Sequence, residues 1–234
     1  MRARLLLTVD FALLAVIILI CAVIGNRLYT KSYQQFDKMT AQHISAIKTA
    51  VDIFMKNAEM SVEMLAENPV LKNADRTIYN YTQEAKTFSS NTHNGKSEQE
   101  ILALFDSMTK THPEFEVIYM GLQWGSHVST NRKVSSGYDP RTRPWYKAAE
   151  ASGGKTIITD AYVSINGKPT ITFARTVHSA AGEVIGCVGI DVSLAGLTSI
   201  ISGIRVGEAG YCMLFQNNGL ILADPKHTDF NFNN

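Results

Sequence analysis

From Leu5 to Gly25 the chain is apolar almost without interruption, and at about 1.5 Å of rise per residue such a run spans roughly 30 Å of hydrocarbon. It predicts a transmembrane helix. Beyond it, Ile44, Ile47, Val51, Phe54, Met55, Val62 and Leu65 recur at helical spacings, with Lys48, Asp52, Lys56 and Glu63 between them. This pattern predicts a long amphipathic helix, continuous with the membrane span and ending near Asn68-Pro69, because proline disfavours helix at the residue before it. An apolar stripe on such a rod needs a partner, either a second copy or a globular domain lying along it.

Two more helical stretches are expected at Asp75–Phe88 and Ser97–Lys110, separated by the polar loop Ser89–Gly95. The period then changes. Glu116–Leu122, His127–Thr130, Thr170–Val177 and Val184–Ile190 are short β-branched or aromatic runs, and Ala180–Glu183 reads as the turn between the last two. An antiparallel sheet follows, giving an α+β class. A short helix, Pro144–Ala151, interrupts it, with proline where a missing N–H costs nothing. Ser193–Gly203 reads as a connecting helix, and Tyr211–Gln216, Asn217-Asn-Gly219 and Leu220–Ala223 read as a fresh hairpin opening a second module. The sequence stops at Asn234, which suggests a fragment of a longer protein.

Charge orients the first helix. Arg2 and Arg4 precede the apolar run, which places the N-terminus in the cytoplasm and everything after Asn26 outside. Asp10 lies close enough to the inner interface to reach headgroups. A cleaved secretory signal also begins with basic residues and an apolar core. The run is longer than a typical signal core, however, and neither Ile20-Cys21 nor Gly25-Asn26-Arg27 makes a good processing site. The uncleaved anchor is therefore the expectation. Cys21, Cys187 and Cys212 all lie in apolar runs and imply no disulfide framework. A net charge of +1 without a basic stripe gives no reason to expect nucleic acid.

The densest chemistry lies in Tyr138-Asp-Pro-Arg-Thr-Arg143-Pro-Trp145-Tyr146, which sets a guanidinium, an indole N–H and two phenols within nine residues. Arg143 offers a planar fork of donors matched to a carboxylate, and the aromatics wall a small pocket while still donating hydrogen bonds. Asp191, at the end of an apolar run, is a carboxylate able to face an ammonium. An anion clamp with a cation clamp suggests a zwitterion such as a free amino acid. Each residue has a plainer reading. Arg143 could pair with Asp139 or Glu150, and Asp191 could cap the following helix unless Ser193 does so. Trp145 and Tyr146, adjacent on a helix, point about 100° apart, so only one need face a pocket. No catalytic constellation is visible: the six histidines are dispersed without ligand spacing, and there is no phosphate-cradling loop and no Gly-x-Ser-x-Gly elbow. An enzyme is not expected, nor a metal site or cofactor.

In this order of elements the chain resembles the double Cache extracellular sensor domains of bacterial methyl-accepting chemotaxis proteins. The resemblance rests on the membrane and stalk helices, the Tyr-Asp-Pro-Arg-x-Arg-Pro-Trp-Tyr segment, a Gly-x-x-Gly-Tyr turn and Leu-Ala-Asp-Pro-Lys-His. It implies PAS-like antiparallel modules divided as a cytoplasmic N-terminus (1–4), a transmembrane helix (5–26), a stalk helix (27–68), a membrane-distal ligand-binding module (69–192) and an incomplete membrane-proximal module (193–234). By the same resemblance to the amino-acid-binding subgroup, Tyr138, Arg143 and Trp145 hold a ligand α-carboxylate, and Tyr146 and Asp191 hold the α-ammonium. Many members carry an Asp two residues after the Tyr of the next strand; here Tyr162-Val-Ser164 supplies a hydroxyl, which leaves amines or small carboxylates as an alternative ligand class. The resemblance further implies a homodimer in the plasma membrane with a periplasmic or extracellular sensor. Cytoplasmic chemotaxis proteins would be engaged through a missing C-terminal region, and a histidine kinase or diguanylate cyclase is the alternative output.

Overall fold

The computed structural model describes residues 2–83, 88–90, 95–135, 137–164, 166–203, 206 and 210–232; within these, the side chains of 2–10, 12, 83, 88–90, 133–135 and 200 are not described. The side chains of Arg2, Arg4 and Asp10, residues 91–94 of the polar loop and 207–209 of the Gly-x-x-Gly-Tyr turn lie outside the described residues.

Helix α1, Arg2–Glu67, runs unbroken for 66 residues. From Leu13 it is long and apolar enough to cross a membrane. Near its far end the apolar stripe is used: Ala58, Val62 and Leu65 are fully buried against the sheet, while Phe11, Leu14, Ile17 and Leu19 are exposed. Burying a valine or leucine side chain typically contributes about 1.5–3 kcal/mol. The helix stops where the sequence expects. Asn68, held extended before Pro69, accepts a hydrogen bond from the Val70 N–H at 2.9 Å and starts the short helix α2, Pro69–Lys72.

The helix expected over Asp75–Phe88 is absent among the described residues. In its place are turns, a 3₁₀ segment at Tyr81–Gln83 and strand β1, Phe88–Ser90. The physical reason is local competition for the backbone. Asp75 Oδ1 accepts from the Thr77 N–H at 2.9 Å, and Asn80 Oδ1 accepts from the Thr82 N–H at 2.9 Å. Each such bond holds a turn that a helix would have to give up. Asn80 also donates to the Trp124 carbonyl at 2.7 Å, tying this segment to the sheet.

Helix α3, Lys96–Thr111, leads into the sheet strands β2 (Phe115–Leu122) and β3 (His127–Ser129). Strand β4 (Lys133–Ser135) pairs with β1, helix α4 spans Pro144–Ala151, and β5 (Ile157–Ile158) and β6 (Tyr162–Val163) follow one another along the edge of β7 (Pro169–His178). Strand β8, Val184–Ser193, sits centrally, giving the antiparallel order β3-β2-β8-β7-β5. Helix α5 (Leu194–Ser202) leads to a hairpin of β9 (Leu214–Phe215) and β10 (Ile221–Ala223), shorter than the sequence suggests but with its turn at Gln216–Gly219.

Strand alternation divides the sheet into two faces. Ile118, Met120, Leu122, Val188, Ile190 and Val192 belong to the main core with α1 and α3. Val117, Tyr119, Ala174 and Cys187 form a second cluster with Trp145, Tyr146 and Ala149 of α4. The period of two therefore assigns Asp191, between Ile190 and Val192, to the α4 face. Asp191 lies inside β8 rather than beyond it, and the cap of α5 is taken by Ser193, whose Oγ accepts from the Gly196 N–H at 3.1 Å.

Candidate functional site

A pocket of about 320 Å³, counting its open mouth, lies on this second face. Its floor is built by register. Tyr119 of β2 lies opposite Gly189 of β8, and Thr172 of β7 lies opposite Asp191. A Cβ at Gly189 would stand 2.6 Å from Tyr119 Cε2, so glycine is what lets the phenol ring cross β8 toward the carboxylate. The Tyr119 hydroxyl and Thr172 Oγ1 each donate to Asp191 Oδ1 at 2.6 Å. Since Thr172 has one proton and gives it to Asp191, the Tyr162 hydroxyl, 2.8 Å from Thr172 Oγ1, is the donor in that pair. Three hydroxyl protons are thereby aligned toward one carboxylate, while Asp191 Oδ2 receives no hydrogen bond among the described residues.

The opposite wall comes from the segment after β4. Asp139 caps the 3₁₀ turn Pro140–Thr142 and is bound by Arg141 through Nε at 2.8 Å and Nη2 at 2.7 Å. Arg141 also reaches the Gln123 carbonyl at 3.1 Å. Because Arg141 takes Asp139, Arg143 is left without an ion pair or side-chain hydrogen bond among the described residues, and it lines the pocket with Tyr138 and Trp145. The indole packs edge-on against Tyr119, ring centroids 4.7 Å apart. The segment comes this close because residue 121 is glycine: a Cβ there would meet Pro140 Cβ at 2.5 Å and Trp145 Cη2 at 3.0 Å.

The electrostatics follow from burial. Asp191 is 5% exposed, and desolvation pushes its carboxyl up to about 6, against the pull of the Thr172 and Tyr119 hydrogen bonds. The phenols of Tyr119, Tyr138 and Tyr162 are all raised, chiefly by burial, and serve as neutral donors. His127 of β3 also lines the pocket, and burial holds its imidazole down to about 3, so the ring is uncharged. Arg143 and Asp191 are thus the two formal charges in the lining.

A small pocket with one unpaired cation, one buried carboxylate and neutral donors between them is suited to binding. Among the described residues its hydroxyl and imidazole groups, Ser129 and His127, are not hydrogen-bonded to one another as an activated nucleophile and its base would be, and no group of His, Cys, Asp and Glu able to hold a metal occurs. The Cache domain model matches residues 26–234 of the chain. The chain belongs to the Cache domain family.

Methyl-accepting chemotaxis proteins are among its relatives. McpB of Bacillus subtilis is 34% identical over 136 residues, covering 57% of this chain and 20% of that protein. McpA of Pseudomonas putida is 38% identical over 114 residues, covering 48% of this chain and 18% of that protein. The chain therefore spans about a fifth of the length of these curated relatives. Among solved structures, the ligand-binding domain of the Pseudomonas fluorescens chemoreceptor CtaA in complex with L-serine has the same fold. It matches with a TM-score of 0.60 at 24% identity, covering 81% of this chain and 71% of that one.

Of the sequence-predicted residues, this Cache domain brings Tyr138, Arg143, Trp145, Tyr162 and Asp191 to one pocket, and it does not bring Tyr146 or Ser164 there. Tyr146 follows Trp145 on α4 and turns away from the lining, as adjacent helical residues must. Its ring is buried in the α4 core, its carbonyl accepts from Cys187 Sγ at 3.9 Å, and its hydroxyl is buried without a partner among the described residues. Ser164 instead closes a turn, its N–H donating to the Lys168 carbonyl at 2.9 Å. Sequence reasoning missed Val117, Tyr119, His127 and Ser129 in the lining and Thr172 behind it. The available signal was the alternation itself, since Val117 and Tyr119, and His127 and Ser129, are paired by a spacing of two on strands that were recognised.

Gly189→Ala tests the floor. The new Cβ requires Tyr119 to shift, and the expected outcome is a lower melting temperature together with at least tenfold weaker ligand binding, as one bond to Asp191 is lost. Parent-like melting and affinity would show that the Tyr119–Asp191 contact is dispensable.

Proposed function

We propose that this Cache domain is the sensory part of a membrane chemoreceptor and that its pocket binds a free L-amino acid. The observation that carries this reading is the pairing of an unpartnered Arg143 with a buried Asp191 across one small pocket. Arg143 takes the α-carboxylate in bidentate fashion, with Tyr138 and Trp145 donating beside it. The α-ammonium docks on Asp191, whose Oδ1 is already fixed by Tyr119 and Thr172. Tyr162 supports the network through Thr172. CtaA, solved with L-serine, and the chemotaxis proteins among the relatives support the same reading. Amines or simple carboxylates would leave one of the two charges unmatched, and Ser164, the residue that motivated them, is not at the pocket.

In the same proposal 5–26 cross the plasma membrane, 27–68 form the stalk, 69–192 the distal module and 193–234 the start of a membrane-proximal module. The sensor faces the periplasm or the outside, and a homodimer passes the signal to cytoplasmic chemotaxis proteins. For transmission the ligand must favour one of two arrangements of module and stalk. The sheet is tied to the helix at one such point: Arg175 of β7 reaches Glu63 of α1 at 3.2 Å, and Thr156 hydrogen-bonds to both.

The test is calorimetry of the full chain in nanodiscs against L-amino acids, amines and small carboxylates at pH 7.5 and pH 5. Binding confined to amino acids is expected. Asp191 must be ionised to face an ammonium, and with its carboxyl at about 6 roughly one site in ten is ionised at pH 5, so affinity should fall about tenfold. Binding of amines alone, or affinity that does not change with pH, would overturn the assignment.

A further inference from the structure

Once the two charged groups are assigned to the ends of a bound amino acid, one polar group in the lining is left without work. His127 stands on β3, the edge strand on the far side of β2 from β8, and is 4% exposed. Its ring is held between Tyr138, at 4.8 Å and 69°, and Tyr119, at 6.0 Å and 32°. In the empty pocket Nδ1 is sealed from water, and it has no hydrogen-bond partner among the described residues. Buried polar atoms are rarely left in this state, because the desolvation they suffer on folding is not returned. Next on the same face, Ser129 brings a hydroxyl to the pocket.

We infer that His127 is a specificity-determining residue, favouring an amino acid with an uncharged, hydrogen-bonding side chain over an aliphatic one of the same shape. The inference rests on the amino-acid reading of the same pocket. His127 lines the pocket, so a turn of its ring as a ligand enters brings Nδ1 to the bound side chain; a hydroxyl or carboxamide both donates and accepts, and so satisfies Nδ1 in either imidazole tautomer. An aliphatic side chain leaves Nδ1 as it is and forfeits the gain, and a site built to hydrogen-bond discriminates strongly against an analogue lacking the group. A charged side chain finds no second counter-ion, since the imidazole is uncharged and Arg143 and Asp191 are engaged.

The experiment compares near-isosteric pairs by calorimetry on the full chain in nanodiscs: L-threonine with L-valine, and L-asparagine with L-leucine. The parent should bind the polar member of each pair about tenfold tighter or more. His127→Leu should abolish that preference while still binding the aliphatic members. His127→Asn, whose amide occupies the position of Nδ1, should retain it. Polar and aliphatic affinities within threefold of each other in the parent, or an equal loss for both classes in His127→Leu, would overturn the inference. If His127→Leu loses its folding transition, the parent ratios and His127→Asn decide. Binding of amino acids without discrimination defeats this inference alone, whereas no amino-acid binding at all defeats the ligand class on which it rests.

Discussion

Arg143→Ala is expected to abolish measurable amino-acid binding while leaving the melting temperature of the empty protein unchanged. The two halves of the result have one cause. Arg143 makes no ion pair or side-chain hydrogen bond among the described residues, because Arg141 already occupies Asp139. Its removal therefore breaks no such bond in the unliganded fold and takes away only its long-range pull on Asp191, the last of the influences on that carboxyl. In the complex the same removal strands a carboxylate in a partly closed pocket, which typically costs about 2–5 kcal/mol, or roughly thirtyfold to several thousandfold in Kd. Calorimetry paired with thermal melts reads both quantities. Parent-like affinity would mean that the ligand carboxylate sits elsewhere, and a large drop in melting temperature would mean that Arg143 is structural.

Asp191→Asn should separate function from stability in the opposite sense. The ligand ammonium loses its counter-charge, and affinity for amino acids should fall by about 2 kcal/mol or more, with simple carboxylates spared. The empty protein should become more stable at pH 7.5. Burial raises the folded-state carboxyl to about 6, so the native state favours the protonated form. Its contribution to stability is fully present below about pH 4 and is lost as pH rises through about 6. An uncharged asparagine escapes that loss, which is worth on the order of 2 kcal/mol at neutral pH. Melts across pH 4 to 7.5 are the check: the variant's advantage should shrink toward the acid end. A variant less stable than the parent at every pH would show that the hydrogen bonds from Tyr119 and Thr172 outweigh desolvation.

Much of the fold could be read from periodicity, and the failures have definite causes. Helices α1, α3 and α4 and the four main strands follow from apolar spacing and from proline and glycine positions. The expected helix at Asp75–Phe88 fails because Asp75 and Asn80 hold turns by bonding backbone two residues on. The site was legible where its chemistry is local: Tyr138, Arg143 and Trp145 lie in one segment, and Asp191 stands out in an apolar strand. Tyr119, Thr172 and His127 could not be weighed by composition, because their roles arise from register between strands that are distant in sequence. The Tyr119–Asp191 bond joins residues 72 apart, through a glycine whose importance lies in the side chain it lacks. Tyr146 shows the converse, since proximity in sequence to Trp145 on a helix is what turns it aside.

The uninterrupted first helix has a mechanical consequence. Its 66 residues make a rod about 100 Å long, with no proline anywhere along it. A tilt of about one degree at the end packed on the sheet displaces the other end by about 1.7 Å, simply from the length of the arm. Small rearrangements of the sheet thus become ångström-scale travel at a distance, by leverage alone.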